Sequence, residues 1–299
     1  MNQLVMDMIQ RYGANFKVSF SISGSALEQF ALHAPEVIES FQKLAKTGCV
    51  EFLAETYAHS LASLSDTDEF ERQVRRHVAR MEELFGQKPV TLRNSSLIYS
   101  DQIGERVAAM GFESMLTDGA KHVLGWKSPN FVYTNVMNPR LKLLLKNSRL
   151  SDDLTLRFSD HSWREWPLTA DKYARWLKDS TRDSEIVNLF MNYETFGENQ
   201  LAETGIFEFM RSLPEFIFST TDFEFLTPSE AVKKHQPVAP LHVPYPISWA
   251  DEEKDITGWL GNELQNEAFE ELFKIQPKVE GHFSSTTYRF PSSTRGTGQ

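Results

Sequence analysis

Residues 186–198 read Ile-Val-Asn-Leu-Phe-Met-Asn-Tyr-Glu-Thr-Phe-Gly-Glu, an apolar run that ends in polar side chains and a glycine. A buried strand that delivers polar groups at its carboxyl end is how β/α barrels present reactive side chains. Side chains two apart on a strand face the same way, so Asn192 and Glu194 are expected to point together and Tyr193 away. A pair of carboxyls on one face would supply an acid and a base, but one member here is an amide. Asn192 has no proton to give near neutral pH. Other carboxylates expected at strand ends or loops are Glu55, Asp118 and Glu198. The eight histidines are scattered with no i, i+4 pair, which argues against a metal site, and no glycine-rich phosphate loop precedes a helix. Neither a metal nor another cofactor is expected.

Two segments carry a resemblance that sharpens this reading. Met191-Asn192-Tyr193-Glu194-Thr195-Phe196-Gly197 resembles the fourth motif of glycoside hydrolase family 57, the α-amylase group, in which an Asp stands where this chain has Asn192. Arg93-Asn94-Ser95-Ser96-Leu97-Ile98-Tyr99 resembles the third motif, in which a Glu stands where this chain has Ser96. Similarity extends from about Leu4 to about Leu272 and includes Val50–Ser60, Gly119–Trp126 and Pro244–Asp251. The resemblance implies an irregular (β/α)7-type barrel of class α/β that cleaves α-glucan with retention. It makes Ser96 the nucleophile position and Asn192 the acid/base position, both replaced. Glu55, His59, Arg93, His122, Trp126, Glu194, Trp249 and Asp251 become the residues expected to line the sugar cleft. Trp163, Trp166 and Trp259 are read instead as core aromatics.

Retaining cleavage needs two carboxyls about 5 to 5.5 Å apart. Ser96 is neutral and would need an adjacent base to attack, and no such pairing is legible. Loss of the general acid alone is worth about 10² to 10⁴ in rate. The expected function is therefore recognition of α-glucan or maltooligosaccharide with impaired turnover. Two alternatives stand beside it: a working hydrolase or glucanotransferase built on other carboxylates, for which an inverting geometry of roughly 6.5 to 9.5 Å leaves room, and a truncated, inactive fragment.

Composition agrees with a neutral partner. The 299 residues carry a net charge of −10, which disfavours nucleic acid and anionic membrane surfaces. Cys49 stands alone, so no internal disulfide can form. The opening residues lack the sections of a signal peptide and no long apolar span exists, so a cytoplasmic location is expected.

Strand-like and helical periods alternate, which calls for a mainly parallel sheet wrapped by helices. Strands are expected at Phe16–Ile22, Cys49–Ala54, just before Ser96, at Glu113–Thr117, before Asn192 and at Asp222–Leu226. Helices are expected at Gly24–Leu44, Asp68–Phe85, Ile103–Met110, Thr169–Leu177 and Gly205–Leu213, with an irregular strand-rich insertion over Phe131–Leu145. The charged run Glu69–Glu83 is read as a solvated face. Leu4–Tyr12 already reads as a helix, so the first barrel strand, which in the family ends His-Gln-Pro, is expected to be missing. His235-Gln236-Pro237 spells that tripeptide far too late in the chain. The incomplete barrel is assigned to 1–236, a proline-rich connector and helical segment to 237–279, and a disordered tail to 280–299.

Overall fold

The computed structural model describes residues 1–285, which fall into two compact units, Met1–Asp255 and a second beginning at Ile256. The first unit is an α/β assembly of short strands: β1 (Val18–Phe20), β2 (Val50–Phe52), β3 (Thr91–Arg93), β4 (Ser114–Asp118), β5 (Tyr133–Asn135), β6 (Lys142–Lys146) and β7 (Ala239–Leu241). β1 pairs with β2, β3 with β4, and β4 with β6, all parallel. An isolated bridge between Ala54 and Leu92 carries the array from β2 to β3, and another between Lys146 and Asn188 extends it past β6. The strands are three to five residues long, and all but one of the parallel pairs open their loops at the same end.

The 186–191 segment departs from expectation. It forms one bridge at Asn188 rather than a buried strand, and Asn192, Tyr193 and Glu194 are exposed. The cause lies in the insertion. β5 runs antiparallel to β6 and takes the hydrogen-bonding edge of Lys142 and Leu143, while β7 pairs parallel with β5. Only the carboxyl end of β6 is left for Asn188, whose amide donates to the Leu145 carbonyl at 3.0 Å. The strand expected at Asp222–Leu226 does not form either. That stretch is extended without ladder partners, and its Phe225 packs on Phe16 at 5.0 Å between ring centroids. Tyr193 lies 6.3 Å from Phe20, so aromatic side chains rather than backbone pairing fill the space beside β1.

Helix positions follow local chemistry. The expected Gly24–Leu44 helix is two, Gly24–His33 and Pro35–Ala45, because Pro35 lacks the amide needed to continue the first and instead opens the second. Asp66 caps Thr67–Phe85 by accepting from the Asp68 and Glu69 amides, and Gly86 ends it in the left-handed conformation. Glu69–Glu83 is not solvated throughout, since Phe70, Val74, His77 and Met81 form a buried stripe on that helix. The helix expected to stop at Leu213 runs Ile206–Thr220, and a helix at Ser148–Thr155 was not legible. The proline-rich stretch is no free connector: β7 lies in it, Ile247 bridges Tyr99, and the first unit continues to Asp255. In the second unit a helix spans Glu263–Ser285, reaching past the expected start of the tail at residue 280; residues 286–299 of that tail lie outside those described. Among the described residues no helix is long and apolar enough to cross a membrane.

His77 ties two strand ends together. Its Nε2 lies 2.7 Å from the Ile22 carbonyl, and its Nδ1 accepts from the Glu55 amide at 3.3 Å, so the ring is neutral with Nε2 protonated. Burial pushes this imidazole down, against the weaker raising effects of the Ile22 hydrogen bond and the Glu55 charge. An unfolded imidazole titrates near about 6.5. The folded group titrates lower, so the unfolded state takes up the proton first as pH falls. The stability this ring contributes is therefore complete above that value and lost as pH drops from it toward the folded value. His77→Leu should cost about 2 kcal/mol or more, because it leaves a buried carbonyl and a buried amide unpaired. Urea unfolding at pH 7.5 and 5.5 checks both points: the unaltered protein is less stable at 5.5, and the variant loses part of that pH dependence.

Candidate active site

The site is built where β2, β3, β4 and β6 end. Glu55 follows the Ala54 bridge and is 2% exposed. Its carboxylate meets two partners through Oε2: His59 Nδ1 at 3.1 Å and the Arg93 guanidinium at 3.2 Å. His59 reaches back because its backbone sits in the left-handed region at φ 53°, a conformation histidine tolerates better than most residues. Burial alone would raise the Glu55 carboxyl. The His59 hydrogen bond and then the Arg93 charge lead the effects that outweigh it, and the net direction is down. Burial likewise pushes the Arg93 guanidinium down, and Glu55 and then Glu194 oppose it.

Ser96 sits in a tight turn, Ser95–Leu97, directly after β3. Ser96 and Leu97 both have positive φ, 50° and 56°. Two such non-glycine residues in a row store of order 1 to 2 kcal/mol each, and the surroundings hold them there. The Asn94 amide donates to Ser63 Oγ at 2.8 Å and the Ile98 carbonyl at 2.9 Å. Thr56 and Ser95 hydroxyls lie 2.8 Å apart, and the Trp249 amide donates to the Ser96 carbonyl at 3.0 Å. Leu97 plugs inward beside Leu53, Leu116 and Leu144, and the half-buried Trp249 closes over that cluster.

Trp249 also gathers charge. Arg93 lies 4.9 Å and Lys146 Nζ 5.3 Å from its ring centroid. Lys146 ends β6 and pairs with Asp152 at 2.9 Å. Asp118 ends β4, is 1% exposed, and takes the Ser148 hydroxyl at 3.0 Å from both oxygens. Burial raises its carboxyl, against the lowering pull of Lys254, Lys146 and Ser148. Across the site the Asn192 amide donates to Glu194 Oε1 at 3.1 Å. The two side chains do meet, through the turn Tyr193–Thr195 rather than through strand alternation.

Glu55, His59, Arg93, Ser96, Asn192, Glu194 and Trp249 thus belong to one connected neighbourhood. His122 and Trp126, on and just after the short helix Lys121–Leu124, and Asp251, in the turn after Trp249, project into solvent instead; Trp126 is 93% exposed. Sequence reasoning missed Lys146, Asp152, Lys254 and His77. For Lys146 a signal existed, since a lysine closing the apolar run Leu143-Leu144-Leu145 has little reason to lie at a buried strand end except to meet an anion or a π face. Trp166, read as a core aromatic, is 41% exposed.

What these groups can do follows from their protons and charges. Arg93 is committed to Glu55, Lys146 to Asp152, and Asn192 to Glu194, so the face is nearly charge-balanced without any carboxyl at residue 96 or 192. Such a face can hydrogen-bond a neutral polyhydroxyl molecule and lay a ring against Trp249. Among the described residues no group of three or more His, Cys, Asp and Glu is arranged to hold a metal ion.

Known proteins give the arrangement its place. A protein of Methanocaldococcus jannaschii described as "Putative alpha-amylase" is 43% identical over 277 residues, which are 92% of this chain and 58% of that protein. The chain therefore spans rather more than half the length of this curated relative. The 4-alpha-glucanotransferase of Thermococcus litoralis superposes with a TM-score of 0.69 at 18% identity, over 94% of this chain and 42% of that one. A branching enzyme of Thermococcus kodakaraensis, crystallised with glucose, superposes with a TM-score of 0.66 at 13% identity, over 88% and 70%. At such identities these likenesses speak to the fold, helices around mainly parallel strands. The family model of glycosyl hydrolase family 57 matches residues 1–244, through β7 and across the segments that carry Glu55, His59, Arg93, Ser96, Asn192 and Glu194, and the chain belongs to that family.

Proposed function

We propose that this chain recognises α-glucan at the carboxyl ends of its strands and does not hydrolyse it. The observation that carries the reading is the pair Ser96 and Asn192 standing where the family's chemistry needs two carboxyls. Two further features support it. The strained turn around Ser96 is held by its full set of hydrogen bonds, so the backbone that would aim a nucleophile persists under a hydroxyl. Arg93 is satisfied by Glu55, so no unbalanced cation is left waiting for a missing carboxylate. Trp249, His59, Glu55 and Glu194 are the residues that would meet sugar, the indole by stacking and the others by hydrogen bonds. The names of the relatives, an alpha-amylase, a glucanotransferase and a branching enzyme, favour α-glucan as the ligand.

A second reading has its own observation. Glu55 is pushed down and Asp118 up, and two carboxyls whose environments separate their proton affinities are the usual makings of a base and an acid. In that case hydrolysis would run through them rather than through residues 96 and 192.

Maltoheptaose incubation followed by chromatography of the products separates the two. The unaltered protein is expected to release nothing, and Ser96→Glu with Asn192→Asp to raise cleavage by about 10²-fold or more over it. Cleavage by the unaltered protein that disappears in Asp118→Asn would establish the second reading instead. Calorimetric titration with maltoheptaose checks recognition directly: Trp249→Ala should weaken binding by about tenfold through loss of its ring contact, and absence of heat from the unaltered protein would remove α-glucan as the ligand.

A further inference from the structure

A second cleft, of about 340 Å³, lies between the loop after residue 156 and the segment that follows Gly197. Its volume is at the small end of the range for ligand pockets, about 300 to 1,000 Å³. Phe158 forms its floor and packs edge-on against Phe209 at 5.2 Å. The exposed face is aromatic: the His161 imidazole and Trp166 indole are stacked 4.1 Å apart with 23° between planes. Trp166 is 41% and Leu201 53% exposed, an unusual amount of apolar surface to leave side by side in one depression.

The platform is held in place before any ligand arrives. Asp160 Oδ1 accepts from the Ser162 amide at 2.8 Å and its hydroxyl at 2.6 Å. The Trp163 amide donates to the Asp160 carbonyl, and the Trp166 amide to the Trp163 carbonyl, at 3.1 and 2.9 Å. Lys172 Nζ clamps the same loop through the Glu165 carbonyl at 2.6 Å and carboxylate at 2.8 Å. The opposite wall is tied to the end of the Ser148–Thr155 helix, since Gln200 Nε2 donates to the Thr155 carbonyl at 3.0 Å.

The polar rim decides what fits. Glu203 lines the cleft and its carboxylate has no hydrogen-bond or ion-pair partner among the described residues. Thr204 donates its hydroxyl proton to the Leu201 carbonyl at 2.7 Å, which leaves its oxygen free to accept. No lysine or arginine lines the cleft, so an anion gains nothing there. Acceptors beside a flat aromatic surface suit a neutral ring with one apolar face and hydroxyls at its edge.

We propose that this cleft holds a pyranose unit of α-glucan on the His161–Trp166 stack, as a binding site separate from the one around Trp249. The inference rests on the α-glucan reading above. Protein labelled with 5-fluorotryptophan is titrated with maltotriose and followed by fluorine NMR, with Trp166 and Trp249 assigned by Trp→Phe variants. Saturable movement of the Trp166 signal is expected, with Trp166→Ala abolishing that binding event and Glu203→Ala weakening it severalfold while the Trp249 signal still responds. Movement of Trp249 with Trp166 stationary would overturn the second site alone. Stationary signals at both would overturn the glucan reading and this site together. Tetramethylammonium chloride is the control, and a Trp166 signal that answers to it but not to maltotriose would mark a cation site and sink the proposal.

Discussion

The Glu55–Arg93 pair governs this face of the molecule. Both groups are largely out of water, at 2% and 13% side-chain exposure, and each would be costly to leave alone. Breaking a buried ion pair by removing one partner typically costs about 3 to 5 kcal/mol, because the survivor keeps its charge without compensation. Everything near the pair is arranged around that constraint. His59 accepts a left-handed backbone to supply a second contact, Arg93 extends over Trp249, and His77 fixes the Glu55 backbone from behind. Ser96 and Asn192 carry no charge, and without Glu55 the Arg93 guanidinium would be a buried lone cation. Glu55 removes that problem, and so the ends of β2 and β3 remain mutually braced.

The same logic of substitution shapes the sheet. A barrel strand at 186–191 would need a full edge of β6, and β5 occupies the amino-terminal half of it. The chain keeps only the Asn188 bridge and then turns, which exposes Asn192, Tyr193 and Glu194. Beside β1, rings take over from hydrogen bonds: Phe20 with Phe41 and Tyr193, and Phe16 with Phe225. Aromatic packing tolerates small shifts that a ladder would not, because dispersion is spread over many weak contacts. The Tyr193 hydroxyl then anchors this packing to the first helix through Asn2 at 2.9 Å.

The order of helices and parallel strands was legible because hydrophobic period and caps are local signals. Gly86 after Phe85 marks the end of its helix in the sequence, whereas the start lies one residue before the expected Asp68, set by the Asp66 cap. What escaped was non-local. No window around Asn192 reveals that β5 has claimed the neighbouring edge, and none around Asp222–Leu226 reveals that Phe225 meets other rings rather than a strand. Motif resemblance named Glu55, His59, Arg93, Ser96, Asn192, Glu194 and Trp249 as candidates, and the structure brings these side chains into one neighbourhood, a proximity that spacing alone does not encode. The same resemblance placed His122, Trp126 and Asp251 beside them, and the structure sets these three in solvent. Trp166 was misread for a simpler reason: an indole in a run of polar residues looks the same in sequence whether it faces a core or a cleft.

The turn at Ser96 is the most strained backbone beside the Glu55–Arg93 pair. Two successive left-handed residues are hard to keep without a reason, and the cost is met by Asn94, Ser63, Thr56 and the Trp249 amide acting together. The turn delivers Leu97 to the inner core and offers the Ser96 carbonyl to the Trp249 amide, so it positions the indole that packs over that core. Relaxing it would loosen Trp249, and with it the ring near which Arg93 and Lys146 both lie. The strained backbone at Ser96 therefore has a physical role of its own, in placing Trp249 beside Arg93 and Lys146.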